Sequence, residues 1–436
     1  MEDEIPFEVP EGWAWCKLND IYNFIDYRGA TPTKITNGIP LVTAKNVKSG
    51  YIDYTIDDYI SEEEFKERQQ RGISKKGDIL FTTEAPLGNA ALADMEKFSA
   101  GQRLITFQQY GSKNELINYV MLMFILSDFF QQQLYVNKTG STVAGIKAAI
   151  LKTLWIPVPP YNEQLRISNT LKSAINLIDS ISKNKEILST SISNTKSKIL
   201  DLAIRGKIVP QDPNDEPASV LLERIRAEKE ELIKQGKIKR DKKESVIIKG
   251  DDNSYYGIHL PDSWNWASLR EIALSISDGS HNPPPNNGSG IPLLSAANIN
   301  DNSILMNEIS RWITNEEWKI ENQRTNIEVG DVLLTIVGSI GRSAVVQNNN
   351  HFALQRSVAV IKPCLINPLY LMHIVQSPQI QKWLTDNSKG TAQKGIYLNA
   401  LSLMIIPIPP LAEQARIVEL IHIAYKQLDL ISNALL

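Results

Sequence analysis

An α/β (α+β) domain used twice, with long antiparallel helices between and after the copies, is the fold class this sequence predicts. Three observations predict it. The stretch Ile156-Pro-Val-Pro-Pro-Tyr-Asn-Glu-Gln-Leu-Arg-Ile167 returns as Ile406-Pro-Ile-Pro-Pro-Leu-Ala-Glu-Gln-Ala-Arg-Ile417. Behind the first copy runs a largely apolar series, Ile167, Leu171, Ala174, Ile178, Ile181, Lys185, Leu188, Ile192, Thr195, Ile199 and Leu202, whose spacing alternates between four and three, the mark of a heptad seam. Behind the second copy the seam restarts in phase with Ile417, Ile421, Ala424, Leu428, Ile431 and Leu435. Ahead of each copy, short strand-forming segments recur in the same order.

The first repeat opens with Gly12-Trp-Ala-Trp15, matched by Ser263-Trp-Asn-Trp266, and paired tryptophans there anchor a domain edge in its core. A turn-rich loop follows, Tyr27-Arg-Gly-Ala-Thr-Pro-Thr-Lys34, opposite Asp278-Gly-Ser-His-Asn-Pro-Pro-Pro285. Both precede Gly-Ile-Pro-Leu (38–41 and 290–293) and a β-type run that ends at Lys45-Asn46 or Ala297-Asn298. Next, Gly77-Asp-Ile-Leu-Phe-Thr-Thr matches Gly330-Asp-Val-Leu-Leu-Thr-Ile, a glycine-aspartate turn feeding a buried strand. The loops after these strands share a glycine, Gly88 or Gly341, but not their polar residues, and Gln102-Arg103 and Gln355-Arg356 recur before a further strand. The segments 119–134 and 369–384 read as amphipathic helices. Each repeat closes with a polar loop, Lys138-Thr-Gly-Ser-Thr142 or Ser388-Lys-Gly-Thr391, then Gly-Ile and a strand into the proline motif. The frame is kept while the loop chemistry changes.

Prolines 159 and 160 cannot donate to a ladder, so the long helix begins after them, with Asn162 as its expected cap and Glu163 at the positive end. Gly206 supplies its stop after Arg205. The seam from Ile167 to Leu202 spans roughly 50 Å, long enough to hold two domains apart. A turn-rich connector, Val209 to Pro217, leads to a shorter helix and a basic exit that includes Lys234, Lys237, Lys239 and Arg240. The expected division is therefore 1–160 and 251–410 for the two repeats, 161–250 for the long helix, short helix and linker, and 411–436 for a distal helix.

Composition sets the remaining bounds. At 436 residues, with 42% hydrophobic and 22% charged, the chain is an ordinary globular protein of at least two domains. The longest apolar run is too short to span a bilayer and the acidic first residues form no signal region, so a cytoplasmic location without a membrane partner is expected. Net charge is -3, which neither announces nor excludes nucleic acid, because phosphate binding needs a local basic surface. Two cysteines, Cys16 and Cys364, and five scattered histidines offer no disulfide framework and no metal-ligand spacing. The Gly-Lys pairs at 206 and 236 are followed by isoleucine, so there is no phosphate loop. His281-Asn-Pro-Pro-Pro285 resembles the amino-group pocket of adenine methyltransferases but lacks the stacking aromatic, and no glycine-rich cofactor loop precedes it. Asp78 and Glu84 suggest a nuclease pair that no lysine completes. No catalytic residue, metal or cofactor is expected in this chain.

With these motifs in view the chain resembles the specificity subunits of type I restriction-modification enzymes. The resemblance rests on the paired proline-glutamate-glutamine motifs, on Lys198-Ile-Leu-Asp-Leu-Ala-Ile-Arg-Gly-Lys-Ile-Val-Pro-Gln-Asp-Pro213, and on Pro217-Ala-Ser-Val-Leu-Leu-Glu-Arg-Ile-Arg-Ala-Glu-Lys229. It implies two target-recognition domains that each read half of a split site in double-stranded DNA. It also implies antiparallel helices that fix their separation and dock methylation subunits, two of them, and restriction subunits that join through the assembled complex. Methylation and cleavage would then belong to those partners. Candidate DNA contacts, chosen from the loops that differ between repeats, are Arg28, Thr31, Lys34, Lys45, Asn46, Arg103, Lys138, Ser141 and Lys147 in the first domain. In the second they are Ser280, His281, Asn298, Arg342, Arg356, Lys389 and Lys394. Candidate helix or partner contacts are Ile167, Leu171, Ile178, Ile181, Leu188, Ile192, Ile199, Leu202, Ile417, Ile421, Leu428 and Ile431. A distal helix of this length, packed antiparallel from Leu202, reaches roughly 25–30 Å along the seam and leaves Ile167, Leu171 and Ile178 uncovered. A two-headed protein-protein scaffold explains the duplication equally well.

Overall fold

The computed structural model describes residues 6–27, 31–55, 57–110, 116–140, 144–240, 254–390 and 394–435. Two compact units, Met1–Ser182 and Lys183–Leu436, divide the chain, and the boundary falls inside the long helix Tyr161–Ile204.

In the first unit the tryptophan segment forms strand Ala14–Lys17, which pairs antiparallel with Trp155–Val158 of the proline motif, Trp15 opposite Pro157 and Cys16 opposite Ile156. A proline is tolerated there because each strand of this pair has a free edge toward which a missing N–H can face. A four-stranded antiparallel sheet follows, in the order Tyr22–Asp26, Leu104–Gln109, Ile79–Thr83, Leu87–Leu92. Ile79–Thr83 is central and wholly buried, because both of its faces are covered: Ile79 and Phe81 join one core cluster and Leu80 another. A second sheet orders Tyr59–Ile60, Ile39–Val42 and Ser99–Ala100, with the last two parallel. The second unit repeats this plan. Asn265–Ser268 pairs with Ile405–Ile408; Ala273–Asp278, Val358–Pro363, Val332–Thr335 and Ser343–Val345 form the four-stranded sheet; Trp312–Ile313, Ile291–Leu294 and Ala353–Leu354 form the three-stranded one.

The helical segments differ from the sequence expectation. Each is two helices, Asn118–Leu126 with Asp128–Val136, and Pro368–Val375 with Pro378–Asp386. Ser127 and Ser377 make the break, each turning its hydroxyl back to donate to a carbonyl, of Phe124 or Ile374, at 2.6 Å. The first helix of each pair is not amphipathic, since Val120, Met121, Leu122 and Ile125 are all buried between sheet and surface helices. The glycine shared by the repeats has a packing cause. The amides of Gln131 and Gln381 donate to the carbonyls of Gly88 and Gly341 at 3.0 and 2.9 Å, and they fill the space a Cβ would need.

The long helix starts at Tyr161, so Asn162 lies exposed in its first turn and is not the cap. The anchor is Gln164, whose amide donates to Pro159 O at 2.9 Å while its oxygen accepts from Ile117 N at 2.8 Å; Gln414 does the same for Pro409 and Asn367. At the other end Gly206 takes φ +65°, with Gly206 N donating to Ala203 O and Lys207 N to Leu202 O at 3.1 and 2.9 Å, which closes the last turn.

The seam divides into three. Ile167 and Leu171 are half-buried, and Ile167 packs on the first core. Ile178 and Ile181, 60% and 58% exposed, and Leu188 touch little. Ile192 is buried, and Ile199 and Leu202 are half-buried. Within the second unit the deepest positions are Leu200, Ala203 and Ile204 rather than the seam itself, because the helix there enters a globular core and needs a wider apolar stripe than a coiled coil does. On the distal helix Leu411–Asn433, Ile417 and Ile421 are buried, Leu428 half-buried and Ile431 exposed. Tyr425 donates to Lys196 O at 3.3 Å, and Asp429 pairs with Lys196 at 2.5 Å. The connector and helix Ala218–Lys234 belong to the same core through Leu221, Leu222 and Ile225. Among the described residues no helix is long and apolar enough to cross a membrane.

Candidate nucleic-acid interface

The topology gathers the variable loops of each repeat at one end of its four-stranded sheet. In the second unit, strands Ala273–Asp278 and Val332–Thr335 end where Val358–Pro363 begins, with Asp278 opposite Ala359 and Thr335 opposite Val358. Backbone bonds then tie loop to loop. Ser280 N donates to Leu354 O at 2.7 Å and Arg356 N to Ser280 O at 2.9 Å. Ile336 N donates to Ser357 O at 2.8 Å and Ile396 N to Ile336 O at 2.9 Å. Gly338 N reaches Lys394 O at 3.1 Å, and Lys389 and Gly395 exchange a bonded pair. The result is one polar rim carrying His281, Arg342, Arg356, Lys389 and Lys394.

The first unit builds the same rim. Thr83 N donates to Arg103 O at 2.9 Å, Ile146 N to Thr83 O at 3.0 Å, and Gly101 N to Val42 O at 2.7 Å, while Thr139 and Gly145 exchange a bonded pair. These bonds bring together Lys45, Arg103, Lys138 and Lys147, with Thr31 attached through the Gln102 amide, which donates to its hydroxyl.

The two rims differ electrically. Arg342, Arg356, Lys389 and Lys394 are exposed, and among the described residues none of them makes an ion pair within 4 Å, although Asp301 lies near enough to Arg342 to feel its charge. In the first unit Arg103 pairs with Glu84 at 3.0 Å, Lys34 pairs with Asp58 at 2.6 Å, and Lys138 lies 3.5 Å over the Tyr135 ring, while Lys45 and Lys147 are exposed. The second rim therefore presents more uncompensated positive charge.

Three candidates are corrected. Asn46 and Asn298 are buried turn braces: Asn46 accepts from Thr43 N at 3.0 Å and donates to Asp53 O at 3.0 Å, and Asn298 accepts from Ser295 N at 3.0 Å and donates to Glu308 O at 2.9 Å. Their position after a strand demands an Asx-type closure, which uses up the side chain. Ser280 is buried as well and serves the rim through its backbone. Arg28 and Ser141 lie outside the described residues.

Asp78 is not half of a nuclease pair. Its carboxylate accepts from Lys75 N at 2.8 Å and Gln108 Nε2 at 2.9 Å, closing the glycine-aspartate turn at the opposite end of the strand from Glu84. Burial raises its pKa, against the pull of those bonds. Asp331 repeats the brace with Glu328 N and Lys362 Nζ, both at 2.8 Å, and burial raises its pKa too. Among the described residues no group of three or more His, Cys, Asp or Glu could hold a metal ion.

Sequence reasoning missed Arg324. It reaches the second rim from helix Asn315–Thr325, whose start is fixed by a capping box between Thr314 and Glu317. Only the fold brings it to Asp278 and His281.

The sequence model of the type I restriction modification DNA specificity domain matches residues 10–189 and 261–435. The chain belongs to this family. The two matched segments are the two repeats, the first together with most of the long helix and the second with the whole distal helix. Among curated relatives, the EcoBI specificity subunit of Escherichia coli is 23% identical over 98% of this chain and 82% of its own length. The EcoEI specificity subunit of the same organism is 26% identical over 100% and 81%. The EcoAI specificity subunit is 34% identical over 52% of this chain and 38% of its own length. Among solved structures, a chain from a study of type I R-M complex assembly and conformational transition has a TM-score of 0.62 at 19% identity, covering 99% of this chain and 94% of that one. The HsdS subunit from Thermoanaerobacter tengcongensis has a TM-score of 0.54 at 18% identity, covering 98% and 93%. These likenesses show the specificity-subunit fold.

Proposed function

We propose that this specificity subunit reads a two-part target in double-stranded DNA, one half with the rim of each repeat, and contributes recognition rather than catalysis. The observation that carries the reading is the gathering of the divergent loops into one polar rim per repeat, on frames whose two-, three- and four-stranded sheets have the same strand order. Family membership favours it over a protein-protein scaffold, which has no need of a cationic rim. The functional division follows the sequence: recognition domains 1–160 and 251–410, helices and linker 161–250, distal helix 411–436. Two methylation subunits are proposed to dock on the helices, where Leu177, Ile178, Ile181 and Leu188 offer exposed apolar surface, and restriction subunits to join through the assembled complex. The long helix and the distal helix, packed antiparallel, set the unread spacer between the half-sites.

The test is a methylome. Exchanging residues 262–403 for the corresponding stretch of a relative is expected to alter one half of the methylated motif and keep the other. Changes in both halves, or in neither, would overturn the assignment of one half-site to each repeat.

A further inference from the structure

We propose that Arg324 reads a guanine in the half-site of the second repeat, with Asp278 as the positioning residue that holds its guanidinium edge-on to the DNA. The inference rests on the DNA-reading function proposed above and deepens it to one side chain and one base.

The loop beside Arg324 is pinned before any side chain acts. Gly279 N donates to Val358 O at 3.1 Å, and a Cβ on Gly279 would stand 2.1 Å from Leu354 O, so the chain passes its neighbour at a distance only glycine permits. Asp278, at the end of its strand, has a side chain only 10% exposed, and its two carboxylate oxygens are divided. Oδ1 accepts from Arg324 Nη2. Oδ2 lies 2.9 Å from His281 Nε2, which donates to it. Arg324 Nε makes a second bond, to the Asp278 backbone carbonyl, at 3.0 Å.

These bonds consume the Nε side of the guanidinium. What remains is the end formed by Nη1 and the second Nη2 hydrogen, on a side chain still 49% exposed. His281 Nε2 stands 3.3 Å from Nη2, but a ring nitrogen that donates to Asp278 has no lone pair with which to accept that hydrogen. Two parallel N–H groups on a fixed plane match the O6 and N7 acceptors that guanine presents in the major groove. Because Asp278 has already fixed the plane, little rotamer entropy is left to lose on binding. A phosphate would accept the same two donors, so the chemistry alone admits either, but a phosphate contact has no need of a plane fixed by two bonds to one aspartate.

The first repeat does not reproduce the arrangement. On its matching helix Glu62–Arg68, Arg68 is turned inward, donating to Ser99 Oγ at 3.2 Å and Ala100 O at 2.9 Å and lying over the Tyr27 ring. The two heads are thus expected to differ at this base.

The test uses the full chain assembled with its methylation partners, comparing methylomes of wild type, Arg324→Lys, Arg324→Ala and Asp278→Asn. Arg324→Lys keeps the charge and removes the fork. It is expected to relax one G·C position of the second half-site, with discrimination there falling roughly ten- to hundredfold, while the first half is unchanged. Asp278→Asn is expected to relax the same position by less. Where a variant methylates too weakly to give a motif, competition binding with duplexes altered one base pair at a time reads the same discrimination. An intact motif in Arg324→Lys overturns the proposal: a flatter salt dependence in Arg324→Ala then makes the residue a phosphate contact, and an unchanged one makes it structural. If exchanging 262–403 changes the motif but no Arg324 variant does, only this inference fails. If the exchange changes nothing, the DNA-reading function itself fails.

Discussion

Trp264 donates its indole N–H to Glu413 at 2.9 Å, with both side chains buried, whereas the corresponding Trp13 N–H is buried without a partner among the described residues and Glu163 is half-buried. The repeats share the residues but not the bond. In the second unit the connector after Gly206 covers the motif: Gln211 donates to Glu413 at 2.5 Å and Asp215 pairs with Arg416 at 2.5 Å. Burial raises the pKa of Glu413 in spite of its two hydrogen bonds. Replacing Trp264 by Phe leaves that carboxylate short of a donor and is expected to cost about 1–3 kcal/mol. Trp13→Phe has no hydrogen bond to break and loses only part of the ring's packing on Phe124, so it is expected to cost less than Trp264→Phe. Hydrogen exchange of strands Asn265–Ser268 and Ala14–Lys17 in the two variants measures the difference, and equal destabilisation of both strands would contradict it.

His373 gives the second unit a pH dependence. Its pKa is pushed down to about 4, first by burial and further by His422, against a hydrogen bond to Gln376; its Nδ1 has no partner among the described residues and its ring lies against Tyr425. A depressed imidazole resists protonation in the folded state, so stability is full above the unfolded value near 6.5 and declines as pH falls toward 4. The decline amounts to about 3 kcal/mol once both states are protonated. Met123 holds the equivalent place in the first repeat, which makes His373→Met the natural control. The variant is expected to lose less stability than wild type between pH 6.5 and 4, read from denaturant midpoints. The raised carboxylates Asp331 and Glu413 act in the opposite sense, gaining stability as pH falls, and cancel in the difference.

Salt dependence reports the rims. Alanine at Arg342, Arg356, Lys389 or Lys394 is expected to flatten the slope of log affinity against log salt by about one unit for each phosphate that is no longer neutralised, in the assembled complex. Arg103→Ala should do less, because its guanidinium is already committed to Glu84. Glu84→Gln should accordingly tighten binding. Slopes indifferent to all of these changes would place the DNA elsewhere.

Seven residues inserted after Leu188 keep the helix phase and lengthen it by roughly 10 Å. At 3.4 Å per step along a strand this is about three base pairs, by which the unread spacer should grow while both half-sites keep their sequences. The site of insertion lies in the exposed stretch of the helix, so folding should tolerate it. An active variant with an unchanged spacer would show that something other than this helix positions the heads.

Duplication, strand order around the glycine-aspartate turn, the long helix with its Gly206 stop and the absence of a phosphate loop are all legible in the residues, because each depends on local periodicity or on a residue type with only one steric use. The same local logic locates the variable loops. It cannot say which of their side chains face outward: Asn46 and Asn298 look like DNA contacts in a string of letters, but closing a turn uses their hydrogen-bonding capacity at home. Arg324 is invisible in the sequence for the converse reason, since it is remote in the chain from Asp278 and only a fold that ends one strand beside one helix makes them partners. Likewise the sequence by itself makes Trp13 and Trp264 equals. The tertiary structure separates them, because whether a buried donor finds an acceptor depends on which distant segment is laid over it.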